Sequence, residues 1–253
     1  MLLDEIAEAE AQMYAGQREL LKQELPLVEH LVGLHQGLEG LVKPSEAEIT
    51  EALAVTLALL LVCRHRLLTA CLALLRGSQS DAFTDTRLAI ESGAFVRRVL
   101  LHPHLAHTWL NASDSSENYR NYRENFSSGK LFPKDNRYLR ELYVRYDYCS
   151  KQSHPSLHAL TGRLASQASS DAQTLRLLHF DLEGQPVHQV RATLLWVLDT
   201  HLGILKALYE AFQKLPGFDF SEWARRVADF ESHLYYKKSL LKPLVDSPGD
   251  RDI

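Results

Sequence analysis

ALAVTLALLLVCRHR, residues 52 to 66, holds the longest apolar run in the chain, and its reading decides the fold. The run from Ala52 to Cys63 is interrupted by Thr56 and closed by Arg64, His65 and Arg66. It is too short to cross a bilayer, which takes roughly 20 apolar residues. It therefore reads as the core helix of a soluble bundle, and the chain on either side has to supply the helices that cover it.

Upstream, Ser45 with Glu48 three residues later forms a capping box, from which a helix can run unbroken to Arg76 and close at Gly77. Gly33, Gly37 and Gly40, followed by Lys43-Pro44, read as a turn. Before them a short helix follows Pro26. Residues 1 to about 24 make an acidic amphipathic helix with Leu2, Ile6, Ala9 and Met13 at helical spacing. Downstream, Ser80 or Asp81 caps a helix whose Phe83, Ile90, Ala94 and Leu101 share a face, and His102-Pro103 ends it. A short helical turn over 103–111 and the polar loop ASDSS at 112–116 lead to two more helices, NYRNYRENF at 118–126 and NRYLRELYVRYDYCSK at 136–151. Gly129 and Pro133 lie in the loop between them. Residues 174–191, TLRLLHFDLEGQPVHQVR, break the pattern with two short runs around Glu183-Gly184, the mark of a small hairpin. Helical periodicity returns over 192–215 and again in FSEWARRVADFESHLYYKKSLL.

The expected fold is an all-α multi-helix bundle with one small β-hairpin. Its parts are N-terminal amphipathic helices over 1–43, a bundle core over 44–215 with the hairpin at 174–191, a C-terminal helix over 216–242 and a loose tail over 243–253.

Composition agrees with this: 253 residues, 45% hydrophobic and 24% charged, form one ordinary globular unit. A formal charge of −4 argues against nucleic-acid binding through the whole surface, although not through a local basic face. Cys63, Cys71 and Cys149 are odd in number and lack CxxC spacing, so buried, reduced thiols are expected. The acidic start, MLLDEIAEAEAQ, shows no export signal, and the expected location is the cytoplasm, away from membranes.

The densest chemistry is YDYCSKQSHPSLH, residues 146–158. Leu139, Leu142, Tyr143, Tyr146 and Cys149 fall on one helical face, which buries the thiol and removes it as a nucleophile. Pro155 suits the first turn of a new helix with Ser153 or His154 as its cap, leaving His154 and His158 one turn apart. Those two imidazoles, or the three in HPHLAH at 102–107, match no established metal pattern, and capping is the better reading of both; no metal and no cofactor are expected. Arg87 and Glu91 sit at i, i+4 on an otherwise apolar helix, either as an ion pair at the core edge or as the lining of a pocket. Residues 117–151 hold eight Lys or Arg against five Asp or Glu, +3 within a chain of −4, so the remainder carries −7. With Tyr119, Tyr122, Tyr138 and Tyr148 interleaved, this segment reads either as a solvated helix face or as a surface for RNA phosphates and bases, with Arg137, Arg140 and Lys151 as contacts.

A long apolar helix, then Arg87-x-x-x-Glu91, then Ser150-x-x-x-His154-Pro155, resembles a group of bacterial all-α proteins related to the HEPN superfamily, over about residues 45 to 215. The resemblance implies a homodimer and an RNA or nucleotide ligand, since that superfamily includes dimeric, metal-independent RNases of toxin and phage-defence systems. Its active members place an Arg four to six residues before a His, the pair stabilising charge and moving protons at a phosphodiester. Arg145 and His154 are separated by eight residues and depart from that spacing. Arg97 with His102, Arg97 or Arg98 with His104, and Arg226 with His233 fit it. The catalytic candidates are accordingly Arg97, Arg98, His102, Arg145 and His154; Arg87, Glu91 and Ser150 join Arg137, Arg140 and Lys151 as binding candidates. Three functions remain open: RNA, nucleotide or partner binding; metal-independent RNA cleavage; and a non-catalytic interaction module docking a partner through its acidic N-terminal helix.

Overall fold

The computed structural model describes residues 2–42, 50–153, 164–168, 173–177, 182, 185–214 and 219–245. Ten helices run through them: α1 (Leu2–Leu20), α2 (Leu25–Val42), α3 (Glu51–Leu75), α4 (Gln79–Leu101), α5 (Leu105–Leu110), α6 (Ser116–Asn125), α7 (Ser128–Leu131), α8 (Arg137–Ser153), α9 (Val187–Phe212) and α10 (Ser221–Val245). The all-α multi-helix bundle is what the apolar periodicity predicts.

The apolar run of 52–66 lies inside α3. Thr50 caps that helix by accepting a hydrogen bond from the Leu53 amide at 3.3 Å. The Ser45/Glu48 capping box falls outside the described residues. Gly77 ends the helix in the left-handed region, φ 83°, with Gly77 N–H bonded to Leu74 O and Ser78 N–H to Ala73 O. The α4 cap is Ser78, two residues earlier than expected, with its hydroxyl donating to Asp81 Oδ2 at 2.6 Å. α4 then runs between α3, α8 and α9, while α2 and α10 close the far side of α9. One continuous core extends from Leu21 in the α1–α2 connection to Leu234 on α10.

Gly33, Gly37 and Gly40 do not form a turn; all three lie within α2. Gly37 lets α10 approach: a Cβ there would sit 3.2 Å from Trp223 Cδ1, and the Trp223 indole N–H reaches Leu34 O at 2.8 Å. The hairpin is also displaced from its expected place. Leu164–Ala168 (β1) pairs antiparallel with Gln173–Leu177 (β2), Leu164 opposite Leu177. Residues 187–191 instead open α9, because Pro186 at φ −57°, ψ 140° starts the helix and Val190, Leu194, Leu195 and Leu198 already bury at helical spacing. On α8, Leu139, Leu142 and Cys149 bury as expected, whereas Tyr143 turns outward at 45% exposure.

Two histidines lie in the middle of this core. His35 of α2 and His201 of α9 stack edge to face, centroids 5.8 Å apart, both fully buried. None of their four ring nitrogens has a hydrogen-bond partner among the described residues. Burial, then the Arg64 guanidinium, pushes the His35 imidazole down from 6.5 to about 3; burial and His35 push His201 well below its ordinary value.

Candidate functional site

A cleft of about 570 Å³ opens at the C-terminal end of α4. α4 contributes Arg97, Arg98 and His102, α7 contributes Lys130, and Lys214 follows the last turn of α9. Asp135, Asn136 and Glu210 complete its polar lining. Arg97, Arg98 and His102 come together because residues i, i+1 and i+5 at a helix end share one side of the final turn and a half. Lys130 and Lys214 reach the same place only through the packing of α7 and α9 against α4.

The two arginines are held differently. The Arg98 Nε–H donates to Asn125 O at 2.9 Å, which ties α4 to the end of α6. The Arg97 side chain is only 13% exposed, and its Nη2 is 4.0 Å from Glu210 Oε2. Glu210 in turn accepts a hydrogen bond from Asn136 Nδ2 at 2.5 Å. Arg97 Nε is buried without a partner among the described residues. Burial lowers the Arg97 pKa, with the Glu210 and Asp135 carboxylates opposing it; a guanidinium remains charged. Arg97 is thus an oriented cation whose hydrogen-bonding capacity is only partly used. His102 is exposed and caps α4. Burial, Arg98, His104 and Arg97, in that order, hold its imidazole below the ordinary 6.5, so it is neutral at pH 7. Four cations and a neutral imidazole face two carboxylates in this cleft, one of which is engaged by Asn136; an anion with several oxygens fits that lining.

The remaining candidates go elsewhere. Arg87 is ten residues and Glu91 six residues up α4 from Arg97, about 15 and 9 Å along the helix. They lie at the α4–α8 seam, where Arg87 Cζ is 5.9 Å over the Tyr146 ring. Burial raises the Glu91 carboxyl and Arg87 offsets this. Ser150, on the facing helix, donates to Tyr146 O at 2.9 Å. Arg87 thus rests against an aromatic ring at the core edge, and its charge favours the ionised Glu91 carboxylate one turn away. Arg145 is engaged too: its Nη2 is 2.6 Å from Asp199 Oδ2, its Nη1 donates to Thr200 Oγ1 at 2.8 Å, and Lys238 Nζ reaches the same Asp199 oxygen at 3.0 Å. It lines a separate, smaller pocket and ties α8 to α9 and α10. Arg137, Arg140 and Lys151 are exposed on the outer face of α8, where Arg137 pairs with Glu141 and Lys151 with Asp147. His154, Pro155 and His158 lie outside the described residues. Among the described residues no group of three or more His, Cys, Asp or Glu is placed to hold a metal.

Sequence reasoning missed Lys130, Lys214, Asn136 and Glu210. Each is an isolated polar residue near a helix end, with no motif around it. Cys63, Cys71 and Cys149 are free and buried, and burial pushes all three thiols up to about 12. Comparison of the chain with family models, with curated proteins and with solved structures finds no match.

Proposed function

We propose that this protein binds RNA or a nucleotide through its phosphates, in the cleft at the C-terminal end of α4. The observation that carries this reading is the convergence of Arg97, Arg98, Lys130 and Lys214 from three parts of the fold on one opening of about 570 Å³. Half-buried, oriented guanidinium groups suit phosphate oxygens, and the exposed Lys130 and Lys214 suit a longer strand. Tyr119 and Arg123 of α6, the helix whose end Arg98 bonds at Asn125 O, offer an exposed ring and a charge for stacking. The buried, free thiols support a cytoplasmic setting.

Anisotropy of a labelled single-stranded RNA, titrated at several salt concentrations, tests the reading. If the four cations each neutralise one phosphate, log K falls against log salt with a slope of about −2.8. Arg97→Ala with Lys214→Ala then halves the slope to about −1.4. No binding at low salt, or a slope unchanged in the double variant, refutes it.

One observation favours a second reading, metal-independent RNA cleavage of the HEPN kind. Arg97 and His102 keep the four-residue interval of that superfamily and line the same cleft, with His102 neutral and able to take a proton. Cleavage of RNA in EDTA that is lost in His102→Ala supports it; intact RNA across structured and single-stranded substrates leaves binding alone.

A further inference from the structure

α3 buries one face in the core and presents a narrow apolar stripe on the other. Ala54, Ala58, Leu61, His65, Leu68 and Leu72 are all exposed and are separated by steps of four, three, four, three and four residues. The 18 residues from Ala54 to Leu72 divide into five steps of 3.6, the helical repeat itself, so the six side chains keep to one line along a single face of α3. Leu61 is 47% exposed, Leu68 41% and Leu72 39%, with Val62 at 37% beside them. So much aliphatic surface along about 27 Å of one helix is unusual without a partner.

We infer that this stripe is the two-fold interface between two copies of the chain, with the α3 helices antiparallel and the axis crossing at the level of residue 63. The residue order carries the inference. In a two-fold contact, residue i meets residue j and j meets i. Centred on 63, Ala54 meets the partner's Leu72, Ala58 meets the partner's Leu68, and Leu61 meets the partner's His65, each twice. Every layer then pairs a small side chain with a large one, or two of similar size, which fills the seam evenly. A parallel pair would set alanine on alanine at one end and leucine on leucine at the other. Charge points the same way. The antiparallel arrangement lays the Glu51 end of each helix against the Arg76 end of the other, whereas a parallel one opposes like charges. The helix dipoles also favour it.

Lipid is a poorer occupant. α3 is the one described helix long and apolar enough to cross a membrane, but part of its most apolar window is buried within the fold. Its exposed apolar strip is one seam wide and is bordered by Arg64 and Arg66, which pair with Glu39 and Asp85.

Sedimentation and light scattering across a concentration series should find twice the chain mass. Leu61→Glu with Leu68→Glu should raise the dimer dissociation constant at least about 100-fold while leaving the far-UV circular dichroism unchanged. Glu51→Lys alone and Arg76→Glu alone should each weaken the dimer about 3- to 10-fold, and the two together in one chain should restore it. An equimolar mixture of the Leu61→Cys and His65→Cys chains should form a mixed disulfide faster than either chain links to itself. A monomer at every concentration overturns the inference. So does self-linking of Leu61→Cys in preference to the mixed pair, or a charge swap that fails to restore affinity. Leu61- and Leu68-dependent flotation with phosphatidylcholine vesicles in place of dimerisation also overturns it, in favour of a lipid surface.

Discussion

The buried pair His35 and His201 makes acid sensitivity a specific consequence of this core. The unfolded chain takes up a proton at each histidine near 6.5, whereas native His35 takes one up only near 3. Stability is therefore complete above about pH 6.5 and is lost as pH falls from there towards 3, because below 6.5 the unfolded state binds more protons than the native state. At 1.36 kcal/mol per pH unit the His35 contribution reaches about 5 kcal/mol by pH 3, and is about 2 kcal/mol at pH 5. His201 acts with the same sign, since burial and then His35 lower its imidazole too. The physical cause is that a proton on either ring would create a charge without a hydrogen-bond acceptor among the described residues. The perturbation is a change from pH 7.5 to pH 5.0 in the native protein and in the His35→Leu, His201→Leu double variant. The variant removes the titration and fills the space with aliphatic volume. Urea denaturation followed by far-UV circular dichroism should show the native protein losing about 2 kcal/mol or more beyond the loss in the variant. Glu39 and Glu91, whose carboxyls burial raises, stabilise with opposite sign on acidification, but they are common to both proteins and drop out of the difference. Equal losses in the two proteins would refute the claim that this pair is held neutral by the core.

Two further outcomes follow from side chains already placed. Arg145→Ala leaves the Asp199 carboxylate with Lys238 alone and should cost about 2–4 kcal/mol, measured by denaturant midpoint. It should leave RNA affinity in the α4 cleft unchanged, and selective loss of affinity or cleavage without loss of stability would return Arg145 to a functional role. Because Arg145 and Lys238 hold the Asp199 carboxyl below 3.8 although burial pushes it up, this contribution is present above 3.8 and disappears as pH falls through the lowered native value. At Gly93 a Cβ would sit 2.6 Å from Ile204 Cγ2, so Gly93→Ala should cost about 1–3 kcal/mol in melting or urea experiments. Ile204→Ala added to it should recover part of that loss; additive destabilisation would place the strain elsewhere.

Helices and their approximate ends were readable without coordinates because each is written in a local code. The 3.6-residue apolar period, Gly77 and the His102-Pro103 stop lie within a turn or two of what they control. Where local code was misread, a tertiary contact was responsible. Gly37 looks like a turn residue until Trp223 is seen against it, and Val187–Arg191 looks strand-like until Pro186 and the burial of Val190 make it the first turn of α9. Half of the candidate cleft was legible in the same way: Arg97, Arg98 and His102 belong to one helix end, and spacing alone sets them together. Lys130, Lys214, Asn136 and Glu210 lie up to 117 residues away from Arg97 in the chain and meet it only because α7 and α9 pack on α4.

The order of residues thus determined an all-α chain and the inward face of α8 at Cys149. Tertiary structure decided which charges line an opening and which are struts. Arg97 and Arg145 are alike in sequence, each a cation on an amphipathic helix. Asp199 and Lys238, from two other helices, close around Arg145, whereas Arg97 is left facing an opening. That difference is a matter of which side chains arrive from a distance, and local periodicity carries no record of them.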